Sequence, residues 1–520
     1  MDNSNIASLL KFTATLLELH DENVFKIRAL QSASLAIENY PQILSGMTLE
    51  QLSVLPSLGK SIAAKIIEII TTGTTVELEE LRSNTPDGVV EMLNIKGIGA
   101  KKVRTLWKEL NIETLAALQE ACELNKVAAL KGFGEKTQET IKQNILYQQE
   151  NSHFLLYAQA ELLAGQLVEI ISSIPSILRV EIAGELRRKL EVIETIVLVA
   201  STSGSTVSVV DQIQQLEFLE SDLNGCSPYV WRGALKGTNT KVEIKVTQED
   251  QFISTVYINS AAEAHLAYKL DHGKSIFQTI YKTQAKEEID LFDKLQLPYI
   301  APELREGIIE FEYIKRNPNY SLLRTEELRG VLHNHSKYSD GENTVEEMAQ
   351  RCIALGYEYF GIADHSKSGN FYNGGMYENK VIAQQREIDE LNKKLSPFRI
   401  FKGIEVDILS DGALDYEDEV MASFDYVVAS IHSNLKMTEE KATARTIRAI
   451  EHPSTTILGH ASSRLLLKRA GFPLDYKKVI DACAANEVGI EINAHPNRLD
   501  MDWRQVIYAC LLYTSDAADE

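Results

Sequence analysis

The residues best suited to chemistry lie in the C-terminal part of the chain. The segment LRGVLHNHSKYSDG (328–341) places His333 and His335 two apart, so on a strand both side chains would point the same way, and Asp340 follows in the adjacent loop. Further on, GIADHS supplies Asp364 and His365, GIEVDI supplies Glu405 and Asp407, SIHS supplies His432 and LGHASSR supplies His460. Each group closes an apolar, strand-like run. Neutral imidazoles interleaved with carboxylates suit Zn2+, Mn2+ or Fe2+. A lone His at a strand end is usually a hydrogen-bonded surface residue. Five of the chain's 11 histidines at successive strand ends instead point to a multinuclear metal site. His272 and His452 lack that context, and His495 in EINAHPNRLD is left outside the set.

The surrounding pattern must bring those strand ends together. After a polar connector, RNPNYSLLRTEE (316–327), strand-like runs alternate with helical ones in the rhythm of an α/β barrel, whose strand C-termini share one mouth. Upstream, residues 151–315 mix helices with the β-runs ILRVEIAG, TIVLVAS and TKVEIKVTQ. The first 150 or so residues read as helices; SIAAKIIEIITTG puts Ile62, Ile66, Ile67 and Ile70 on one face and stops at Gly73. A Gly-centred hairpin recurs there three times, as LPSLGKSIAAKI, LNIKGIGAKKV and LKGFGEKTQETI. Such a hairpin turns backbone N–H groups outward at a positive helix end and so forms a phosphate cradle. Its residues are Gly59 and Lys60, Gly97, Gly99, Lys101 and Lys102, and Gly132, Gly134 and Lys136. Contacts of this kind hold the DNA backbone without reading bases.

Composition narrows the classes. The 520 residues are 44% hydrophobic and 24% charged, with a net charge of -21, which excludes a grip on nucleic acid over the whole surface. No apolar run reaches the ~18 residues of a membrane span, the N-terminus lacks the pattern of a signal peptide, and no membrane partner is expected. Five scattered cysteines (Cys122, Cys226, Cys352, Cys483, Cys510) fit a reducing cytoplasm and exclude a disulfide framework or a Cys-based zinc site.

The hairpin triplet resembles the helix-hairpin-helix motifs of DNA-repair proteins, and NVFKIRALQSASLAIENYP (23–41) resembles the N-terminal domain of family X DNA polymerases. The resemblance implies a lyase candidate in Lys65, whose plainer reading is a solvated helix lysine. It also makes AGELRRKLEVIETIVLVAS (183–201) similar to the family's palm motif, in which alternating Asp residues hold two Mg2+. Gly184, Arg187 and Arg188 match that motif, but Glu185 replaces a Ser, Thr195 and Val197 replace the two Asp, and Glu243 stands for the third. A threonine hydroxyl is a weak neutral ligand, valine is no ligand at all, and Glu185 repels a triphosphate. The palm is therefore expected to hold no Mg2+ and not to polymerise.

The histidine constellation resembles the PHP (polymerase and histidinol phosphatase) domain, a distorted barrel that hydrolyses phosphoesters with up to three ions, here Mn2+ or Zn2+. By this resemblance His333, His335 and Glu405 hold one ion, Glu405 bridges to a second held by His432 and His460, and Asp340 and His365 hold the third. Glu405 and Asp340 are catalytic through those ions, and Arg464 contacts phosphate. The resemblance implies a multidomain layout: 1–90 and 91–150 all-α with helix-hairpin-helix motifs, 151–315 an α+β nucleotidyltransferase-like palm and thumb, 316–327 a linker, and 328–509 an α/β, TIM-like PHP barrel. The family's closing Asp-x-His ligand pair is absent; residues 510–520 are expected to be translated sequencing adapter, with the native barrel continuing beyond Ala509. The expected function is DNA repair in the cytoplasm, at the nucleoid, by a monomer acting on gapped, nicked or 3′-end DNA as a 3′–5′ exonuclease, 3′-phosphatase or abasic-site endonuclease. An active gap-filling polymerase and a non-catalytic DNA-binding scaffold are the alternatives.

Overall fold

A computed structural model describes residues 3–38, 40, 44–55, 58–93, 95, 98–371 and 374–513. It divides into two compact units, Met1–Gln149 with His335–Gln350, and Glu150–Asn334 with Arg351–Glu520. Among the described residues no helix is long and apolar enough to cross a membrane.

Regular structure in the described residues up to Gln149 is helical. Helices Asn3–Leu19 and Val24–Glu38 bury Ile6, Leu10, Leu30 and Ile37 against Ile62, Ile66 and Ile69 of helix Lys60–Thr72. The buried stripe of that last helix runs i, i+4, i+7, so Ile67 and Ile70, expected on it, lie at its half-buried margin. Gly73 ends the helix in the left-handed conformation, φ +82°. A second core joins Val103, Leu106 and Trp107 of helix Ala100–Leu110 to Val89, Met92, Leu118, Ile141 and Ile145.

The other unit begins with the palm-like α+β region, hereafter the palm. Strands β1 (Leu155–Leu156), β2 (Arg179–Ala183), β3 (Val192–Ile193), β4 (Thr195–Thr202), β5 (Leu219–Ser221), β6 (Val230–Leu235) and β7 (Lys241–Gln248) form a five-stranded sheet, β2-β4-β7-β6-β5, and a small β1-β3 ribbon. Only β4 and β7 are parallel. Alternation along β4 sends Ile196, Leu198 and Ala200 toward helices Tyr157–Ser172 and Thr206–Gln214. Val197 and Val199 face a second core built on Phe252, Tyr257, Phe292 and Ile314.

A buried ion cluster ties this second layer to the palm. Arg305 is fully buried; its Nε and Nη2 donate to the Ile300 carbonyl (2.9 and 2.7 Å), its Nη1 donates to Glu288 (2.8 Å), and its guanidinium lies 4.3 Å from the Tyr257 ring. Glu288 also takes a bidentate pair from Arg187 (3.0 and 3.2 Å), and Arg188 donates to Glu306 (2.6 Å). Burial would raise the Glu288 carboxyl, but Arg305 and Arg187 hold it below its usual range.

Beyond the connector, β8 (Gly330–Asn334), β9 (Tyr359–Ile362), β10 (Arg399–Asp407), β11 (Tyr426–Ser430), β12 (Ile457–Leu458) and β13 (Gly489–Ile490) pair in sequence order, all parallel. Helices Glu378–Leu395, Glu439–Ile450 and Tyr476–Ala485 lie among the crossovers. The result is a curled half-barrel whose strands all end at the same rim.

Removing Arg305 leaves Glu288 buried with one cation fewer. Arg305→Met should lower the stability of the palm unit by about 3–5 kcal/mol, read as a fall in its chemical-denaturation midpoint; an unchanged midpoint would show the cluster to be dispensable.

Candidate metal centre

Glu405 lies at the end of β10 and is 1% exposed. Its Oε1 is 3.1 Å from His333 Nε2, 3.2 Å from His432 Nε2 and 2.9 Å from His460 Nε2, and its Oε2 is 2.9 Å from His365 Nδ1. Three imidazole nitrogens on one oxygen exceed what its two lone pairs can accept as hydrogen bonds. His432 Nε2 and His460 Nε2 stand 3.3 Å apart. Ligand atoms on one tetrahedral ion at about 2.0–2.1 Å lie about 3.3 Å from one another, so the spacing fits shared divalent cations. Ligand atoms of His365, Glu405 and His432 all fall within 4.8 Å of one another.

A second layer fixes which nitrogen faces the centre. His333 Nδ1 donates to Glu491 (2.5 Å) and His432 Nδ1 donates to Asp407 (2.6 Å), leaving each Nε2 turned to Glu405. Glu491 also accepts the His460 backbone N–H (2.6 Å). Asp364 is buried and accepts from Gln384 (2.6 Å). From sequence Asp407 stands among the strand-end carboxylates without a ligand assignment, and Glu491 goes unnoticed. A signal existed for Glu491, because GIEVDI and GIEINAHP repeat Gly-Ile-Glu at the ends of two strands, β10 and β13.

Two local devices aim these side chains. His333 sits at φ +59°, in the left-handed region, and the β8–β9 register is irregular between Val331 and Asn334. The strand ends at Asn334, so His335 lies beyond the regular two-residue alternation and is placed by the loop that follows rather than by the strand. Gly459 brings His460 in close: a Cβ there would meet Ser430 Oγ at 2.4 Å and Val428 Cγ1 at 2.6 Å. His335 and Asp340 pair with each other, Nδ1 to Oδ1, at 2.8 Å.

Charge follows from this packing. Burial disfavours a charged His333, but Glu405 and Glu491 outweigh it and raise the imidazole to about 10; Glu405 and Asp407 likewise raise buried His432 to about 9. Burial would raise Glu405, yet His333 and His432 hold it well below its usual range. Burial keeps His460 below its usual value.

Arg464, expected at phosphate, is engaged within the protein. Its guanidinium donates to the Arg498 carbonyl (2.9 Å), to Asp502 (2.6 Å) and to the Leu499 carbonyl, which binds its own loop to residues 498–502. The palm positions are also engaged internally. Arg232 (2.5 Å) and Lys245 (2.8 Å) pair with Glu243, and Glu185 accepts the Glu194 N–H (2.7 Å). Val197 packs on Gly184, at φ +68°, so closely that a Cβ on Gly184 would lie 2.9 Å from Cγ2. Thr195 pairs with Lys241 across the β4–β7 ladder.

In the helical unit, Gly59 and Gly99 directly precede helices Lys60–Thr72 and Ala100–Leu110, and Gly134 precedes Glu135–Asn151. Lys101 and Lys102 lie in the first turn of the second of these helices, and Lys102 reaches within 5.5 Å of the Phe133 ring. Gly132 and Gly134 have φ +86° and +100°. Lys136 lies in the first turn of its helix; Gly97 lies outside the described residues. Lys65 is not the solvated lysine of the plainer reading: it is largely buried and pairs with Glu77, which also takes Lys26.

His333 and His432 are protonated at neutral pH when the centre holds no cation, so a cation must displace those protons. Binding of Mn2+ should release about two protons near pH 7.5 and tighten as pH rises toward 9. Calorimetry in buffers of different ionisation enthalpy reads the release directly; none would contradict this charge assignment.

Residues 1–75 match the helix-hairpin-helix domain family, residues 89–145 the SAM-like helix-hairpin-helix tandem and residues 332–495 the PHP domain. Over 512 residues the chain is 32% identical to the DNA polymerase/3′-5′ exonuclease PolX of Bacillus subtilis, spanning 96% of this chain and 89% of that protein. Shorter stretches are 33% identical to a probable phosphatase of Acetivibrio thermocellus (29% of this chain, 59% of that protein) and 28% identical to one of Clostridium acetobutylicum (31% and 63%). With helix-hairpin-helix modules, palm and PHP centre in the order the sequence implied, the chain belongs to the PolX family, the DNA polymerases of family X that carry a PHP domain.

Proposed function

We propose that this enzyme repairs DNA by hydrolysing phosphoesters at its PHP centre, as a 3′–5′ exonuclease, 3′-phosphatase or abasic-site endonuclease, and that its palm does not polymerise. The observation that carries the reading is the buried Glu405 carboxylate ringed by His333, His365, His432 and His460 at 2.9–3.2 Å. Two or three Mn2+ or Zn2+ ions would be held there, with His335 and Asp340 completing the set as the family resemblance implies. Bound divalent cations would neutralise phosphate oxygens and acidify a water for attack. The chain's own part is to orient. Glu491 and Asp407 hold His333 and His432 in the tautomer that faces Glu405, and the hairpin helices hold the DNA backbone through outward N–H groups. The substrate is gapped, nicked or 3′-ended DNA, bound by a monomer in the cytoplasm at the nucleoid.

The contrast with the palm supports assigning the chemistry to the PHP centre. Glu243 is neutralised by two cations, Val197 offers no ligand atom, and Arg187 and Arg188 are held by Glu288 and Glu306. A templated polymerase remains the competing reading, because the Bacillus subtilis relative is described as a DNA polymerase as well as an exonuclease.

Two measurements decide. With Mn2+, the protein should shorten or dephosphorylate the 3′ end of a gapped duplex or cut an abasic site, and Glu405→Gln should lose more than about 100-fold, exceeding the usual cost of a second-layer partner. Retained hydrolysis in Glu405→Gln would sink the assignment. On a templated single-nucleotide gap with Mg2+ and all four deoxynucleotides, no extension is expected; robust extension blocked by Glu243→Ala would establish the polymerase reading instead.

A further inference from the structure

Glu191 lies in the altered palm segment, yet its partners come from the far end of the chain. It is 9% exposed, and its backbone carbonyl accepts the Tyr157 N–H (3.3 Å) beside the β1–β3 ribbon. Its carboxylate takes Arg504 Nη1 on one oxygen (2.6 Å) and Trp503 Nε1 on the other (3.1 Å). Arg504 also donates to Asp502 (3.0 Å), whose other oxygen takes Arg464 Nη1 (2.6 Å). Arg464 follows the ligand His460 by four residues. The intervening turn is pinned by Asp500, which accepts the Ser462 N–H (3.1 Å) and hydroxyl (3.0 Å), and by Ser463 Oγ donating to the Ile431 carbonyl next to His432 (2.6 Å). Every link is a charge-assisted or buried polar bond.

We infer that Glu191, Arg504, Asp502 and Arg464 form a positioning relay by which the palm sets the turn carrying His460, and thereby tunes cation binding at the PHP centre. The inference rests on the reading of that centre as a metal site. None of the four residues touches the centre's ligand atoms, so the effect is on geometry. Glu191 is thus a working part of the palm segment whose metal-binding positions are replaced: it anchors the hydrolytic half of the unit. Coupling of this kind is reciprocal, so occupancy of the centre should also steady the palm segment around Glu191.

The test uses the full chain and Mn2+ alone, without DNA. Titration calorimetry compares the unsubstituted protein with Glu191→Ala, Arg504→Ala, the double variant, and Trp503→Phe, which removes only the indole N–H. Glu358→Gln, in an exposed pair with Arg329 away from the relay, serves as control. Glu191→Ala and Arg504→Ala should each weaken Mn2+ binding about three- to tenfold, and the double variant should be no weaker than the worse single one. In the unsubstituted protein, saturating Mn2+ should slow amide exchange in residues 190–194. Equal Mn2+ affinity in all folded variants, or exchange at 190–194 indifferent to Mn2+, would overturn the relay while leaving the metal centre standing. Failure of the unsubstituted protein to bind Mn2+ would overturn the centre and the relay together.

Discussion

A fully buried carboxylate sets the terms for the PHP half of this protein. Glu405 can remain ionised away from water only where compensating groups converge on it, and four imidazoles from four other strand ends do so. Much else serves that convergence. Parallel strands in sequence order bring their C-termini to one rim, Gly459 removes a side chain so that His460 can approach, and a bulge re-aims His333. The outer carboxylates Glu491 and Asp407 then fix which nitrogen of each ring faces inward.

The palm solves a comparable problem by another route. Its buried charges are paired within the protein, Arg305 and Arg187 on Glu288 and Arg188 on Glu306, so the layer needs no ligand to be electrically satisfied. The segment LPYIAPELREG (297–307) supplies Ile300, Arg305 and Glu306 to this network. The same economy holds at Glu243 and Glu185. One half of the unit gathers donors around points that cations can share, and the other has closed its donors on itself.

How legible this was depends on the range of the interaction. The strand-end histidines and Glu405 could be read from sequence, because an apolar run followed by a ligand type is a local pattern that a parallel sheet converts into proximity. The hairpin glycines were legible for the same reason. The internal partners of Arg464 were not legible, because Asp502 and the carbonyls of residues 498 and 499 lie more than thirty positions away and belong to no motif. Glu491 was passed over although its Gly-Ile-Glu echoed that of Glu405; its role depends on a pairing with His333 across 158 residues. The face of helix Lys60–Thr72 was off by part of a turn because its isoleucines spread over about half of its circumference, wider than the buried stripe, and only the neighbouring helices choose among them.

The contact between Val197 and Gly184 bears on the history open to this chain. Position 197 faces a glycine whose missing side chain leaves room for Val197, and the arginines of the same segment are committed to other partners. Aspartates at 195 and 197 would therefore not by themselves make a two-ion site, since the arginine pairing, Glu185 and the two cations on Glu243 would have to change as well. The replacement is entrenched: each neighbour has adjusted to its absence of charge, and the way back passes through several changes that are unfavourable when made alone.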